Sequence, residues 1–222
     1  MNINLLFLNL FAVLFAVTVH EVAHGLVAYW GGDPTAKYAG RLTLNPARHL
    51  DPIGSFLVPG ILALTGAPVF GWAKPVPVRI GLLRNPRRDA VLVSAAGVAA
   101  NLALALLSGI IARILYNLPV LWSLPILGGL VAEVYNLMVI SVMVNCVLFA
   151  FNLVPLPPLD GGHILVYLLP PQQGMALERA KPYTMMILLI LLMTDILGDI
   201  LWAVVHPMSR LILGHSLGFV TN

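Results

Sequence analysis

Three stretches of this chain, about residues 4–30, 90–116 and 126–152, are each long and apolar enough to cross a lipid bilayer. A spanning helix needs roughly 20 mostly apolar residues, because a helix rises about 1.5 Å per residue and the hydrocarbon core is about 30 Å thick. The first stretch holds one charged residue, Glu21; the second is uncharged from Ala90 to Ala112; the third is interrupted only by Glu133. Composition agrees: of 222 residues, 59% are hydrophobic and 9% charged, whereas a soluble domain carries about 25% charged residues. Too few polar groups exist to cover this surface in water. The expected fold is therefore an all-α polytopic membrane protein, with residues 1–222 forming a single membrane-embedded domain.

A further helix is expected over about 183–205, with Asp195 and Asp199 near its far end. The run 53–70 is short and broken by Pro59, Gly60, Gly66 and Pro68, which leaves two readings open, a re-entrant segment or a further crossing of the membrane. Around it, residues 36–44 and 69–80 read as short extended segments forming β hairpins. Pro75 and Pro77 fit an edge strand, which could pair with an extended substrate or serve as a plain connector. The first nineteen residues lack a basic start and a small-residue cleavage site, so they are expected to remain as part of the first helix.

Orientation follows from the basic residues, which collect on the cytoplasmic side. Lys37, Arg41, Arg48, Lys74, Arg79, Arg84, Arg87 and Arg88 lie between the first two spans, and residues 117–125 carry no charge. The long connector should face the cytoplasm, and a multi-pass protein of a prokaryotic plasma membrane is expected. The net charge of +3 reflects this loop asymmetry rather than a nucleic-acid-binding face. Cys146 stands alone in an apolar stretch, so no internal disulfide forms, and it reads as a packing residue.

His20 and His24 stand four residues apart, which on a helix puts both imidazoles on one face and within reach of one metal ion. Glu21 lies beside them, where a carboxylate can act as a general base toward water. The H-E-x-x-H pattern alone arises by chance, but an ionisable residue within an apolar spanning helix is costly and by default functional. Catalytic zinc usually takes three protein ligands, leaving one position open. Asp160 is the best third candidate: Pro155, Pro157 and Pro158 end the preceding helix, and Gly161 and Gly162 allow a tight turn that could aim its carboxylate back.

With HEVAH at 20–24 and NLVPLPPLDG at 152–161, the sequence resembles the site-2 protease family of intramembrane metalloproteases. These segments match that family's HExxH and N-x-x-P-x-P-x-L-D-G motifs, and GVAAN at 97–101 matches its G-x-x-x-N element. The resemblance covers roughly 4–30 and 90–163. It implies His20, His24 and Asp160 as ligands of one Zn2+ per chain, and Glu21 as catalytic base. It also implies that Asn152 positions substrate or steadies the developing oxyanion; a helix cap is the plainer reading. Asn101 reads as an interhelical hydrogen bond or substrate contact, and His163 as a partner behind the metal ligands. PDZ and CBS modules are not evident, so the chain resembles a minimal member.

The function so implied is cleavage of transmembrane protein substrates within the bilayer, with oligomerisation left open. Three rival readings are a surface metalloprotease with Glu133 or Glu178 as third ligand, a zinc transporter and a non-catalytic scaffold. His49 and Asp51 fit a capped turn better than the mouth of a site. His206 and His215 are expected beyond the last helix as interfacial side chains, and Glu133 is expected to snorkel near the outer end of its helix.

Overall fold

The computed structural model describes residues 3–66, 71–125 and 127–214. The first span is α1 (Ile3–Gly31), 29 residues and so about 44 Å long, enough to cross a bilayer with a turn or two to spare. A single-turn helix, α2 (Thr35–Tyr38), and the short α3 (Val58–Thr65) follow it. The second span, α4 (Pro86–Tyr116), starts with a proline whose missing N–H costs nothing in the first turn, and the Asp89 carboxylate reaches back to the Asn85 amide at 2.9 Å. After the single turn α5 (Pro119–Trp122) comes the third span, α6 (Leu127–Asn152). The chain ends in α7 (Asp160–Leu168), α8 (Pro171–Arg179), α9 (Lys181–Met193) and α10 (Ile196–Leu213). Among the described residues, α1, α4, α6 and α10 are long and apolar enough to cross a membrane.

Helix α4 lies at the centre, packed against α1, α6, α7 and α10. Small residues let its neighbours approach: Ala105 and Ala112 are fully buried, and a Cβ on Gly109 would collide with Ile212 of α10. Cys146 sits in the same cluster with Val142, Val205 and Leu213, the packing role its sequence setting suggested. Large apolar side chains turn outward instead, including Phe7, Ile114 and Leu211, as a lipid-facing surface requires. The guanidinium of Arg87 donates to the carbonyls of Tyr167, Leu168 and Leu169, satisfying the open C-terminal end of α7 and fixing it to the start of α4.

Three expectations are corrected. The apolar run 183–205 is not one helix: it breaks at Thr194 and Asp195, and Asp195 takes a left-handed φ of 58°, which a short polar side chain tolerates better than most. Asp199 then falls in the first turn of α10, where a carboxylate meets the positive end of the helix dipole. The β hairpins are absent, since no strand forms among the described residues: 36–38 belong to helix α2, and 71–79 have no regular secondary structure. His206, expected beyond the last helix, lies within α10 with its ring against Trp202.

The broken run 53–70 forms a π-helical stretch, Pro52–Leu57, leading into α3; residues 67–70 lie outside the described residues. Together these helical turns are too short to cross a bilayer, and the chain comes back to where it began. The Trp72 amide donates to Gly54 O at 3.0 Å and the Lys74 amide to His49 O at 2.9 Å. From there residues 71–79 pass over α1. The Arg41 guanidinium donates to the Lys74 carbonyl at 2.5 Å, and the Arg79 amide donates to Asp33 Oδ2 at 2.5 Å.

Asp33 is fully buried and holds both ends of this arrangement, because its other oxygen accepts from the Thr35 amide and hydroxyl. Burial pushes its carboxyl up, but these bonds outweigh that and hold it below the ordinary 3.8. A carboxyl whose folded value is depressed contributes stability above its unfolded value and loses it as pH falls through the folded one. The stability difference between wild type and Asp33→Asn in detergent is therefore expected to shrink below about pH 4. A difference that stays constant from about pH 7 to about pH 3 would count against this role.

Candidate metal centre

His20 and His24 project from one face of α1, and Asp160 is the first residue of α7. The proline-rich turn between α6 and α7 brings the carboxylate back. The Leu159 amide closes on Leu156 O at 3.0 Å, and the Thr184 hydroxyl of α9 donates to the Pro157 carbonyl. The turn is too tight for side chains at its exit, since a Cβ on Gly162 would overlap Pro157 N and Leu156 C.

Each imidazole is aimed by α4. Asn101 Oδ1 lies 2.7 Å from His20 Nδ1, and Val93 O lies 2.6 Å from His24 Nδ1. Both partners are acceptors, so each Nδ1 carries the hydrogen and each Nε2 presents a lone pair. Gly97 lies between these contacts, where a Cβ would come 2.6 Å from His20 Cε1, so only glycine lets the two rings lie against α4. Asn101, read from sequence as an interhelical or substrate contact, thus stands directly behind a candidate ligand.

The two Nε2 atoms are 3.0 Å apart, and Asp160 Oδ2 is 3.3 Å from each. A tetrahedral ion with ligand bonds of about 2.0–2.1 Å separates its ligand atoms by roughly 3.3 Å, so the trio has the right dimensions for zinc. Asp160 Oδ2 is buried and accepts no hydrogen bond. A buried carboxylate oxygen without a donor is unfavourable unless a cation meets it, so two lone pairs and an anion converge on a place for one. Among the described residues, these three form the one cluster able to hold a metal ion.

Glu21 borders the same polar cavity of about 480 Å³, together with Asn152 and His163. Its Oε2 accepts from the Val76 amide at 2.7 Å, so the segment 71–79 lies directly over the site. Asn152, the last residue of α6, donates to Leu148 O at 2.9 Å while facing the cavity. His163 lies one turn into α7, and burial together with the nearby Lys181 ammonium lowers its pKa.

Other candidates stand elsewhere. Asp51 caps the 52–57 stretch through the Ile53 and Gly54 amides. His49 is buried with Nε2 2.9 Å from Thr43 O and borders a separate apolar cavity beside α1. Glu133 is exposed near the start of α6, Glu178 reaches the cavity wall without joining the cluster, and His215 lies outside the described residues. Sequence reasoning missed Asn145, whose Oδ1 accepts from Asn101 Nδ2 at 2.9 Å. Its one signal was a polar residue two turns before Asn152 in a largely apolar helix.

Ionisable groups gathered around a metal-sized gap inside an apolar bundle mark out a class, the multi-pass membrane zinc metalloproteases, whose cofactor is Zn2+. The sequence profile of peptidase family M50 matches residues 8–194, and the chain belongs to that family, the site-2 proteases. It is 38% identical over 194 residues to YwhC of Bacillus subtilis, which carries the name of a zinc metalloprotease, covering 87% of this chain and 84% of that one. It is 33% identical over 194 residues to Rip2 of Mycobacterium tuberculosis, named in the same way, covering 87% and 69%. No solved structure matches. Family membership decides for a protease against the transporter and scaffold readings.

Proposed function

We propose that the chain is an intramembrane protease, a single membrane-embedded domain that hydrolyses peptide bonds in transmembrane segments of other proteins. The depth of the site carries this reading. His24 and His20 lie 7 and 11 residues before Gly31, so about 10 and 17 Å inside the end of α1. In this reading His20, His24 and Asp160 hold one Zn2+, Glu21 is the catalytic base and Asn152 positions the substrate. The active site faces the cytoplasm of a prokaryotic plasma membrane, a placement supported by Arg84, Arg87 and Arg88 clustering where α4 begins, beside the end of α1.

When bound, the ion supplies a Lewis acid that polarises a carbonyl and makes water acidic enough to attack near neutral pH. Glu21 takes the proton from the attacking water and passes it to the amide nitrogen as the C–N bond breaks. The Val76 amide engages only Oε2, which leaves the second carboxylate oxygen for that exchange. Asn152 spends one amide hydrogen on Leu148 O and keeps another for a substrate oxygen. The apolar part of the cavity wall comes from Ala90 and Val93 of α4 and from Val76, Val78 and Ile80 of the segment lying over the site.

A helical substrate must unwind first, because its carbonyls are otherwise occupied. The test is cleavage by the purified protein, in detergent, of paired transmembrane peptides that differ only in a Gly-Pro interruption. Faster cleavage of the interrupted peptide is expected, inside its apolar segment. Equal rates on an unbroken helix, or cuts confined to the soluble flanks, would overturn the proposal.

A further inference from the structure

From His20 on α1 a line of polar groups runs through α4 and α6. Asn101 of α4 donates from Nδ2 to Asn145 Oδ1 on α6 at 2.9 Å. Asn145 in turn donates from Nδ2 to the Ser141 carbonyl at 2.8 Å, and the Ser141 hydroxyl meets that of Ser108 at 2.8 Å. Asn101 and Asn145 are almost fully buried, so neither amide can turn to water for a substitute partner.

We propose that Asn145 is a positioning residue of the metal centre, which fixes the metal-binding tautomer of His20 through Asn101. The proposal rests on the reading of His20 as a zinc ligand and assigns a role to a residue that does not touch the ion. A side-chain amide has an acceptor end and a donor end, and rotation by half a turn exchanges them. A backbone carbonyl can only accept. Ser141 O therefore draws the NH2 of Asn145 toward itself and turns the Asn145 oxygen to Asn101. Asn101 must then offer its NH2 to Asn145 and its oxygen to His20. Facing an oxygen, His20 Nδ1 carries the hydrogen, and Nε2 is left with the lone pair a metal needs.

If Asn101 were reversed, its NH2 would face Nδ1, the hydrogen would move to Nε2 and His20 could not bind. Asn101 has one other anchor, Ala16 O at 3.5 Å, at the limit of a hydrogen bond. Asn145 is therefore the stronger determinant.

The test uses the full chain labelled with ¹⁵N-histidine, in detergent, with the His20 signals assigned by their loss in His20→Gln. In the metal-free wild type, the nitrogen shifts are expected to report the Nδ1–H form. In Asn145→Leu the Nε2–H form becomes populated, and zinc affinity, measured by chelator competition, falls by about 10–100-fold. Asn145→Asp restores both, since a protonated carboxyl presents an oxygen to Asn101 and an O–H to Ser141 O. If Asn145→Leu does not fold, Asn145→Ala, which removes bulk at the same place, gives the same readout.

An unchanged tautomer with wild-type zinc affinity in the apolar variant overturns the proposal, as does an Asn145→Asp protein that behaves like Asn145→Leu. The tautomer is read without zinc or substrate. A wild type that cuts no peptide would therefore count against the protease reading alone, and a failed tautomer shift against this proposal alone.

Discussion

Glu21→Gln is expected to leave the fold and zinc binding intact and to slow peptide hydrolysis by about 10²–10⁴-fold, the usual contribution of a positioned general base. The substitution is close to isosteric, and the new amide oxygen can still accept from the Val76 amide that now meets Oε2 at 2.7 Å. The segment 71–79 thus keeps its anchor over the site. His20 and His24 are aimed by Asn101 and Val93, and Asp160 by the proline turn, and the hydrogen bonds that do so do not involve Glu21. What disappears is a group able to take a proton from water. Zinc content and cleavage measured on the same preparation check this. Full activity with bound zinc would remove Glu21 from the mechanism, whereas loss of zinc would make it a ligand or a structural support.

The parts of this site legible in the sequence are those whose chemistry is local. Two histidines four residues apart share a helix face whatever surrounds them, and a proline run followed by Asp160-Gly161-Gly162 announces a sharp turn. The three spans were equally legible, since length and hydropathy alone decide them. The polar line behind His20 was not, because Asn101 lies 81 residues from His20 and 44 from Asn145. Pattern within one helix says that a buried asparagine wants a partner, not which one it finds. The contact of Glu21 with the Val76 amide was hidden for the same reason, and because a backbone donor has no sequence signature.

The misread elements share a different cause. Short segments punctuated by glycine and proline suggested β hairpins after α1, yet residues 71–79 are held by side chains and scattered amides rather than by a ladder: Arg41 takes the Lys74 and Pro75 carbonyls, Asp33 the Arg79 amide and Glu21 the Val76 amide. A peptide held in this way needs no partner strand. The run 183–205 failed as a single helix because hydropathy registers composition and not backbone angle, so the left-handed turn at Asp195 is invisible to it.

Asp160→Asn is expected to change stability in opposite directions with and without zinc. In wild type, two Nε2 lone pairs and a buried carboxylate oxygen face one another with no donor among them. Such a trio is unfavourable until a cation joins it. An asparagine amide supplies N–H groups to the same lone pairs. At about pH 8, well above the ordinary histidine value, the metal-free variant should then be more stable than metal-free wild type by about 1 kcal/mol. With zinc the order reverses. Wild type gains a stabilisation that grows with the logarithm of zinc concentration over Kd, and the variant, having lost its anionic ligand, gains little. Melting curves of both proteins in detergent, with chelator and then with zinc in excess, separate the cases. Equal zinc-dependent shifts in the two proteins would remove Asp160 from the ligand set. A variant weakened under both conditions would instead make its carboxylate a support for the α6 to α7 turn, and the third ligand would have to be sought elsewhere in the cavity.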